Sequence, residues 1–215
     1  GLGGEMWLRG LAERFNIHAL ALADVVNIPQ RPKVDVYENN LYIVSRMARF
    51  LESGELDVEQ LSLVLGPNYV ITFQERYGDV FEPVRRRLRQ GGPLRGAASD
   101  FLAYSLLDAV IDAYYPILEE FGEELSEIED DALEGRNKET LRRINTLRRI
   151  NLHLMRSVRP QREAINALIR DPNPLVSDQV RIYLRDVLDH IVQVSNVLES
   201  YREVVGSLAG TYLPA

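Results

Sequence analysis

The sequence predicts an α+β protein: a small sheet flanked by helices, then a long antiparallel helix hairpin and a long C-terminal stalk helix. Two observations carry this prediction. Short β-branched and aromatic runs separated by turn residues occur only between residues 41 and 73. Beyond Ala97 the apolar residues recur at helical spacing, with interruptions at 135–137 and 171–174. We therefore expect an α/β subdomain at 1–95 and a long-helix region at 96–215.

Composition excludes several classes of site. The 215 residues are enough for a sizeable core, and the absence of cysteine excludes disulfides and thiolate metal sites. Thirty-two acidic and 25 basic residues give a net charge of −7, which argues against a nucleic-acid partner and permits cation binding. No apolar run approaches the length of a membrane span, and no signal peptide is evident. The chain opens at Gly1 without methionine, so we expect it to be a piece of a longer protein.

The first two predicted elements are short helices. Residues 5–15 place apolar side chains at helical spacing, and the apolar run Ala19–Val26 forms a second helix that Pro29 terminates. Asp24 interrupts that second run. An unpaired carboxylate would be costly to bury, so an acid here usually marks a solvated helix end.

Three strands follow in an antiparallel meander. The segments 41–44 (continuing towards Phe50), 58–65 and 69–73 are separated by short turns. A short helix is then expected from Gly78-Asp79 through Leu88. Four arginines in or directly after it could touch anionic lipid or phosphate, but we favour a solvated helix face; they are Arg85, Arg86, Arg87 and Arg89.

A helix hairpin is expected over about 99–169. Ser99 or Asp100 can cap a first helix that runs to Glu134, and Pro116 should bend or break it. Its second half holds nine acids and no base over 119–134, whereas the next helix is rich in arginine. An acidic arm should therefore face a basic arm across the tight connection at 135–137.

The stalk helix is expected at about 175–213. Its apolar residues alternate spacings of four and three over more than four heptads, the pattern of a helix that keeps one seam against a partner helix. The pattern does not separate two alternatives: packing against another long helix of the same chain, or self-association. The seam residues are Val180, Leu184, Val187, Ile191, Val194, Leu198, Tyr201, Val205, Leu208 and Tyr212.

The sequence offers no catalytic constellation and we expect no enzyme, but it does place acids at helical spacing. Asp108 and Asp112 are four residues apart and share one helix face. Asp186 and His190 are spaced alike, but two ligands are too few for a zinc site, and solvated neighbours are the usual explanation. Carboxylates brought together from separate segments would suit hydrated Mg²⁺, which needs only one or two of them.

An ordered set of motifs resembles the soluble domain of CorA-type magnesium transporters. Each motif is weak alone, but together they run in order from about residue 4 to residue 213. They are Phe15-Asn16-Ile17-His18, Leu20, Leu22, Asp24-Val25, Asn27, Gln30-Arg31-Pro32-Lys33-Val34, Glu59-Gln60-Leu61-Ser62-Leu63, Phe73-Gln74-Glu75, Gly78-Asp79-Val80-Phe81, Pro83-Val84-Arg85, Tyr104-Ser105-Leu106-Leu107-Asp108-Ala109, Arg185-Asp186-Val187 and Asp189-His190.

This resemblance implies a cytoplasmic domain on the inner face of a cell membrane, self-associated as a homopentamer around a pore axis. The N-terminal strands of the family's sheet would precede residue 1, so the α/β subdomain is truncated. The membrane spans and the family's Gly-Met-Asn signature would lie beyond Ala215. The resemblance also favours self-association of the stalk helices through their seam.

The resemblance further implies regulatory Mg²⁺ between protomers that holds the pore closed, with Co²⁺ or Zn²⁺ as other ions that relatives handle. Asp24 of one protomer would face Asp186 of the next, and Asp108 and Asp112 would serve a second ion. Ala23 departs from the acid that relatives often carry there, which weakens that second site. Pro214 is unexpected in a helix that continues into a membrane. The alternatives are a zinc-transporting relative with little Mg²⁺ control, and a helical oligomeric scaffold unrelated to transport.

Overall fold

A computed structural model describes residues 5–51, 53, 55–134 and 138–212 of the chain. Eight helices and four strands are present in these ranges. In order they are α1 (Glu5–Phe15), α2 (Ala19–Val26), β1 (Lys33–Val36), β2 (Leu41–Phe50), β3 (Leu56–Leu65), β4 (Val70–Gln74), α3 (Glu82–Arg89), α4 (Pro93–Gly96), α5 (Ser99–Asp112), α6 (Tyr114–Glu134), α7 (Lys138–Arg170) and α8 (Asp178–Tyr212).

The four strands form one antiparallel sheet in the order β1-β2-β3-β4. The three expected strands and their meander are confirmed, with Ile43 of β2 opposite Leu63 of β3. Strand β1 was not expected from the sequence. It is a four-residue edge strand in which Lys33 and Asp35 alternate with valines, too short a run to stand out from a loop.

The sheet carries a core on each face because successive side chains of a strand point to opposite sides. Tyr42 and Val44 of β2 pack with α1 and α2 in one buried cluster. Leu41, Ile43 and Met47 of the same strand join the larger cluster formed with α5, α6, α7 and α8. The two short N-terminal helices and the long helices therefore lie on opposite faces of the sheet.

Helix α3 begins later than expected. Asp79 precedes the helix, and its Oδ1 accepts a hydrogen bond of 2.9 Å from the Phe81 backbone N–H. The first helical residue is Glu82, directly before Pro83, a position where proline is well tolerated. The four arginines of this segment are exposed, and Arg89 pairs with Glu82 at 2.8 Å. The single turn α4 was not expected.

The first arm of the hairpin breaks as Pro116 suggested, with α5 ending at Asp112 and α6 starting at Tyr114. The expected cap was wrong: Ala98 occupies the N-cap position and makes no side-chain capping hydrogen bond. The Ser99 hydroxyl donates instead to the Gly66 carbonyl at 2.7 Å. Asp100 accepts a hydrogen bond of 2.9 Å from the Ser177 backbone N–H, which ties α5 to the start of α8.

Arg143 joins the acidic arm to the basic arm. Arg143 of α7 contacts three acids of α6, with N–O distances of 2.7 Å to Glu124, 2.8 Å to Glu127 and 2.7 Å to Asp131. This confirms that the arms face each other. The Arg143 side chain is 26% exposed, so these contacts are partly shielded from solvent.

The seam of α8 packs against other helices of its own chain. Val187, Ile191, Val194 and Leu198 are fully buried within the single chain, in the cluster built by α5, α6, α7 and the sheet. Val205, further along, is buried against the α6–α7 hairpin. These five residues therefore pack as the intramolecular alternative predicts. The side chain of Tyr212, at the end of the seam, lies outside the described residues, and self-association of the chain stays a prediction.

The segment Ser99–Asp131 is long and apolar enough to cross a membrane by length and composition, in contrast to the expectation from run length. Half of its apolar window is buried inside the chain. Core helices meet the same criteria, and the two helices that make up this segment, α5 and α6, belong to the buried cores.

Candidate divalent-cation site

The packing of α5 against α8 positions the candidate ligands. Val110 and Ile111 of α5 are buried, as are Val187 and Ile191 of α8. Asp108 and Asp112 flank the apolar pair of α5, and His190 directly precedes Ile191 of α8. Burial of the four apolar side chains therefore determines where the polar side chains lie. The spacing of four residues puts Asp108 and Asp112 on one face of α5, as expected.

The two helices bring three ligand-type side chains together. One oxygen each of Asp108 and Asp112 and one ring nitrogen of His190 lie within 4.8 Å of one another. His190 Nδ1 is 3.7 Å from Asp112 Oδ1, and His190 Nε2 is 3.9 Å from Asp186 Oδ2. The imidazole therefore lies between carboxylates of two helices. Asp186 is the most exposed of the four, with 68% of its side chain accessible.

The Nδ1 atom of His190 is buried and has no hydrogen-bond partner among the described residues. A buried polar atom without a partner is costly, because it has lost its hydrogen bonds to water. Its nearest acidic oxygen, on Asp112, is beyond hydrogen-bond distance at 3.7 Å. A cation or ordered water between these atoms would satisfy both.

Asp108 is the most perturbed acid of the group. Burial raises its pKa to about 6; the charges of Asp112 and Asp186 add to the increase, while His190 and Arg87 oppose it. Burial and the charge of Asp108 together raise the pKa of the neighbouring Tyr104 to about 12. Negative charge is thus concentrated on a partly desolvated surface, which favours a bound cation.

A cleft of about 250 Å³ opens beside these carboxylates, between α3 and α5. Asp108, Asp112 and Arg87 line it together with the apolar side chains of Val80 and Val84. The cleft has space for an ion that keeps several of its waters. Arg87 is the one cationic side chain in this lining and belongs to the exposed arginine run of α3.

Asp24 is not part of this cluster. It belongs to α2, on the opposite face of the sheet from α5 and α8. Its Oδ2 lies 2.7 Å from Lys33 Nζ, which also contacts Asp35 at 2.6 Å. Burial lowers the pKa of Lys33, but hydrogen bonds to Asp24 and Asp35 outweigh it and hold the pKa above its usual value. Asp24 is therefore partly buried and paired, which corrects the interpretation as a solvated helix end.

Sequence reasoning missed the contact of His190 with Asp112. The spacing along α8 linked His190 to Asp186 alone, because the pairing of α5 with α8 is long-range information. The one available signal was that His190 directly precedes the seam residue Ile191, so its ring had to emerge beside whichever helix covers that seam. Lys33 as the partner of Asp24 was also missed, because strand β1 was not recognised.

The donor set fits a divalent cation. Mg²⁺ prefers oxygen ligands at about 2.1 Å, so two ligands on opposite sides of the ion lie about 4.2 Å apart. The three atoms, within 4.8 Å of one another, would need a small inward movement or an intervening water to reach that spacing. The imidazole nitrogen would in addition suit Co²⁺ or Zn²⁺.

Comparisons with known proteins place the chain in one family. The family model described as CorA-like Mg²⁺ transporter protein matches residues 7–214. The cobalt/magnesium transport protein CorA of Thermotoga maritima is 41% identical over 205 residues, which cover 94% of this chain and 58% of that protein. A Bacillus subtilis protein described as a putative metal ion transporter is 25% identical over 94% of this chain and 63% of its own length. The chain thus spans about six tenths of these relatives.

Solved structures show the same fold. The soluble domain of CorA from Methanocaldococcus jannaschii has a TM-score of 0.81 at 22% identity, covering 98% of this chain and 86% of that one. The ZntB cytoplasmic domain from Vibrio parahaemolyticus has a TM-score of 0.81 at 17% identity, covering 95% of this chain and 81% of that one. From the α+β architecture and the extent of the family match, the chain belongs to the CorA-like Mg²⁺ transporter family.

Proposed function

We propose that this chain is the cytoplasmic, cation-sensing part of a divalent-cation transporter, and that Mg²⁺ bound by its carboxylates holds the transporter closed. The observation that carries the proposal is the half-buried Asp108, grouped with Asp112 and His190 in a cluster with an orphaned imidazole nitrogen. The family match and the name of the T. maritima relative support magnesium or cobalt as the ion class.

The sensing mechanism follows from electrostatics. Without a cation, the charges of Asp112 and Asp186 repel that of Asp108, and its partial burial adds a desolvation cost. A divalent ion removes this repulsion, so it stabilises whichever arrangement brings the acids together. A few carboxylates and retained waters give the weak affinity that suits sensing of an abundant ion. Loss of the ion then shifts the population towards a mobile, conducting arrangement.

Asp24 would bind an ion together with Asp186 of a neighbouring protomer. It lies on the opposite face of the sheet from Asp186 within one chain, so a shared ion requires two copies. In a ring of five protomers Asp24 of one copy would face Asp186 of the next, with Asp108 and Asp112 serving a second ion. Ala23, exposed beside Asp24, offers no ligand to that second ion.

Sedimentation velocity tests the proposal. The wild-type chain, treated with EDTA, is run without Mg²⁺ and with about 10 mM Mg²⁺, beside an Asp24→Ala/Asp186→Ala double variant. We expect Mg²⁺ to drive the wild type, but not the variant, towards a larger species. A variant that associates as the wild type does would contradict the role of these carboxylates.

A second candidate is the soluble domain of a zinc-handling relative with little Mg²⁺ control. It is favoured by His190, because an imidazole in the cluster suits Zn²⁺ better than Mg²⁺. The structural likeness to the ZntB domain is a likeness of fold and does not choose between the two. Binding of Zn²⁺ with no response to millimolar Mg²⁺ would support this alternative.

A further inference from the structure

A large groove separates α7 from the segment 28–32 that leads into β1. Its volume is about 1060 Å³, and its lining reaches Arg46 of β2 at one side and Arg202 of α8 at the other. The groove is on α7 and does not include any of the acids of the candidate cation site. It is therefore a separate feature of the fold.

The groove is basic although the protein is acidic. Five arginines and two glutamates line it, in a chain with a net charge of −7. Three of the arginines have acidic partners: Arg31 pairs with Glu163 at 2.7 Å, and Glu199 lies 3.2 Å from Arg159 and 3.0 Å from Arg202. Arg46 and Arg156 form no ion pair within the described part of the chain.

Arg46 is the more informative of the two unpaired arginines, because it is held in place and partly desolvated. Its backbone N–H donates to Gln161 Oε1 at 2.9 Å, and its carbonyl accepts from the Tyr114 hydroxyl at 2.9 Å. One terminal nitrogen of the guanidinium donates to the Gln30 carbonyl at 3.0 Å. Among the described residues, its other donors have no protein partner.

Burial lowers the pKa of Arg46, and the charge of Glu75 only partly offsets this. A half-buried guanidinium without a carboxylate partner is costly, and an anion that reaches it would recover that cost. Guanidinium groups bind phosphate oxygens through paired N–H donors, so two of them in one groove favour an anion with more than one phosphate oxygen.

Apolar side chains form the remaining wall of the groove. Leu152 of α7 is 39% exposed and Ile28 is 41% exposed, and Pro29 and Met155 line the groove with them. A volume of about 1060 Å³ exceeds what a phosphate ion fills and matches the upper range of small-molecule sites. The lining thus suits a ligand with an anionic end and an apolar body.

We propose that this groove binds a phosphate-bearing anion with an apolar body, of the nucleotide class. Arg46 and Arg156 contact the phosphates, and the ring packs against Leu152 and Pro29. Because α7 also packs on α8, an occupant that bridges α7 and the segment 28–32 stiffens the layer that carries the candidate cation site.

The test uses the 215-residue chain in EDTA at about 0.15 M salt, where weak non-specific attraction is screened. Isothermal titration calorimetry compares three probes: adenosine triphosphate, tripolyphosphate and adenosine. The variants are Arg46→Gln and Arg156→Gln. Arg148→Gln is the matched control, since Arg148 is an exposed arginine of the same helix outside the groove.

We expect adenosine triphosphate to bind, and each groove variant to weaken it roughly tenfold, the effect of losing one charge-assisted contact. Arg148→Gln should change affinity less than about twofold. Equal weakening by Arg148→Gln, or no binding by the wild type at millimolar nucleotide, would overturn the proposal. Equal affinity for tripolyphosphate and adenosine triphosphate would overturn the role of the apolar wall. Since Arg156 is exposed, its variant keeps the test valid if Arg46→Gln does not fold.

Discussion

The Nδ1 atom of His190 lies 3.7 Å from Oδ1 of Asp112, across the contact between α8 and α5. The two residues are far apart in sequence, so the cluster exists only when the helices are packed. Ion binding to it must therefore stabilise the fold, because the unfolded chain cannot present these atoms together.

Asp108→Asn should stabilise the ion-free protein at pH 7.5 by about 1 kcal/mol. Burial raises the pKa of Asp108 to about 6, so the ionised side chain is costly in the folded state at this pH. Asparagine keeps the shape and removes the charge. Urea denaturation in EDTA measures the change, with the exposed Asp189→Asn as control. An unchanged or lower free energy of unfolding for Asp108→Asn would contradict the assigned pKa.

The stability of the ion-free protein should decrease as pH rises from about 4 to about 7. The pKa of Asp108 is higher in the folded state than in the unfolded chain, so folding favours the protonated acid and that contribution is lost as the pH passes about 6. Mg²⁺ should reverse the trend, because the ion needs the ionised carboxylate. Its apparent affinity should fall about tenfold per pH unit below pH 6. Thermal unfolding over pH 4–8, with and without Mg²⁺, measures both effects, and the Asp108→Asn variant should lack them.

His190→Gln should weaken Co²⁺ binding far more than Mg²⁺ binding. An imidazole nitrogen is a preferred ligand for Co²⁺ and Zn²⁺ but not for Mg²⁺. We expect at least a tenfold loss of Co²⁺ affinity and less than a twofold change for Mg²⁺. Calorimetric titration measures both, with His153→Gln on the exposed face of α7 as control. An equal loss for both ions would mean that His190 acts by positioning Asp112 and not as a ligand.

The sequence predicted the helical half of the fold well, because its signals are local. The spacing of Asp108 and Asp112 determines that they share a face, and Pro116 marks the break between α5 and α6. Partners were harder to predict. The heptad repeat of α8 identified Val187 and Ile191 as seam residues, but a repeat specifies a buried face and not the helix that covers it. Contacts such as Asp112–His190 depend on that choice of partner.

Short elements with mixed polarity were missed for a different reason. Strand β1 is four residues long and alternates charged residues with valines at the edge of the sheet. Its strand geometry depends on pairing with β2, which propensity does not report. Because β1 was not predicted, the ion pair between Lys33 and Asp24 was not predicted either, and Asp24 was expected to be solvated.

Lys33→Gln should strengthen Mg²⁺-driven association of the chain. The ammonium of Lys33 contacts both Asp24 and Asp35, so it competes with any cation that approaches Asp24. Removing it should lower the free energy of unfolding in EDTA by up to about 1 kcal/mol. It should also reduce the Mg²⁺ concentration needed for association in sedimentation velocity. Lys138→Gln is the control, since Lys138 is exposed at the start of α7. A higher Mg²⁺ requirement for Lys33→Gln would mean that Asp24 needs its lysine for correct placement.

Ile191→Ala should lower the free energy of unfolding without changing the association of folded copies. The Ile191 side chain is fully buried where α8 packs against the other helices of the same chain. Truncation leaves a cavity and should lower the free energy of unfolding by about 2–4 kcal/mol. Ile182 is a matched control on the same helix, because it is 62% exposed and its truncation should cost less than about 0.5 kcal/mol. Urea denaturation measures stability, and sedimentation velocity in Mg²⁺ measures association of the folded variant. If Ile191→Ala abolished association while leaving the urea midpoint unchanged, the seam would belong to contacts between copies, contrary to its burial in the single chain.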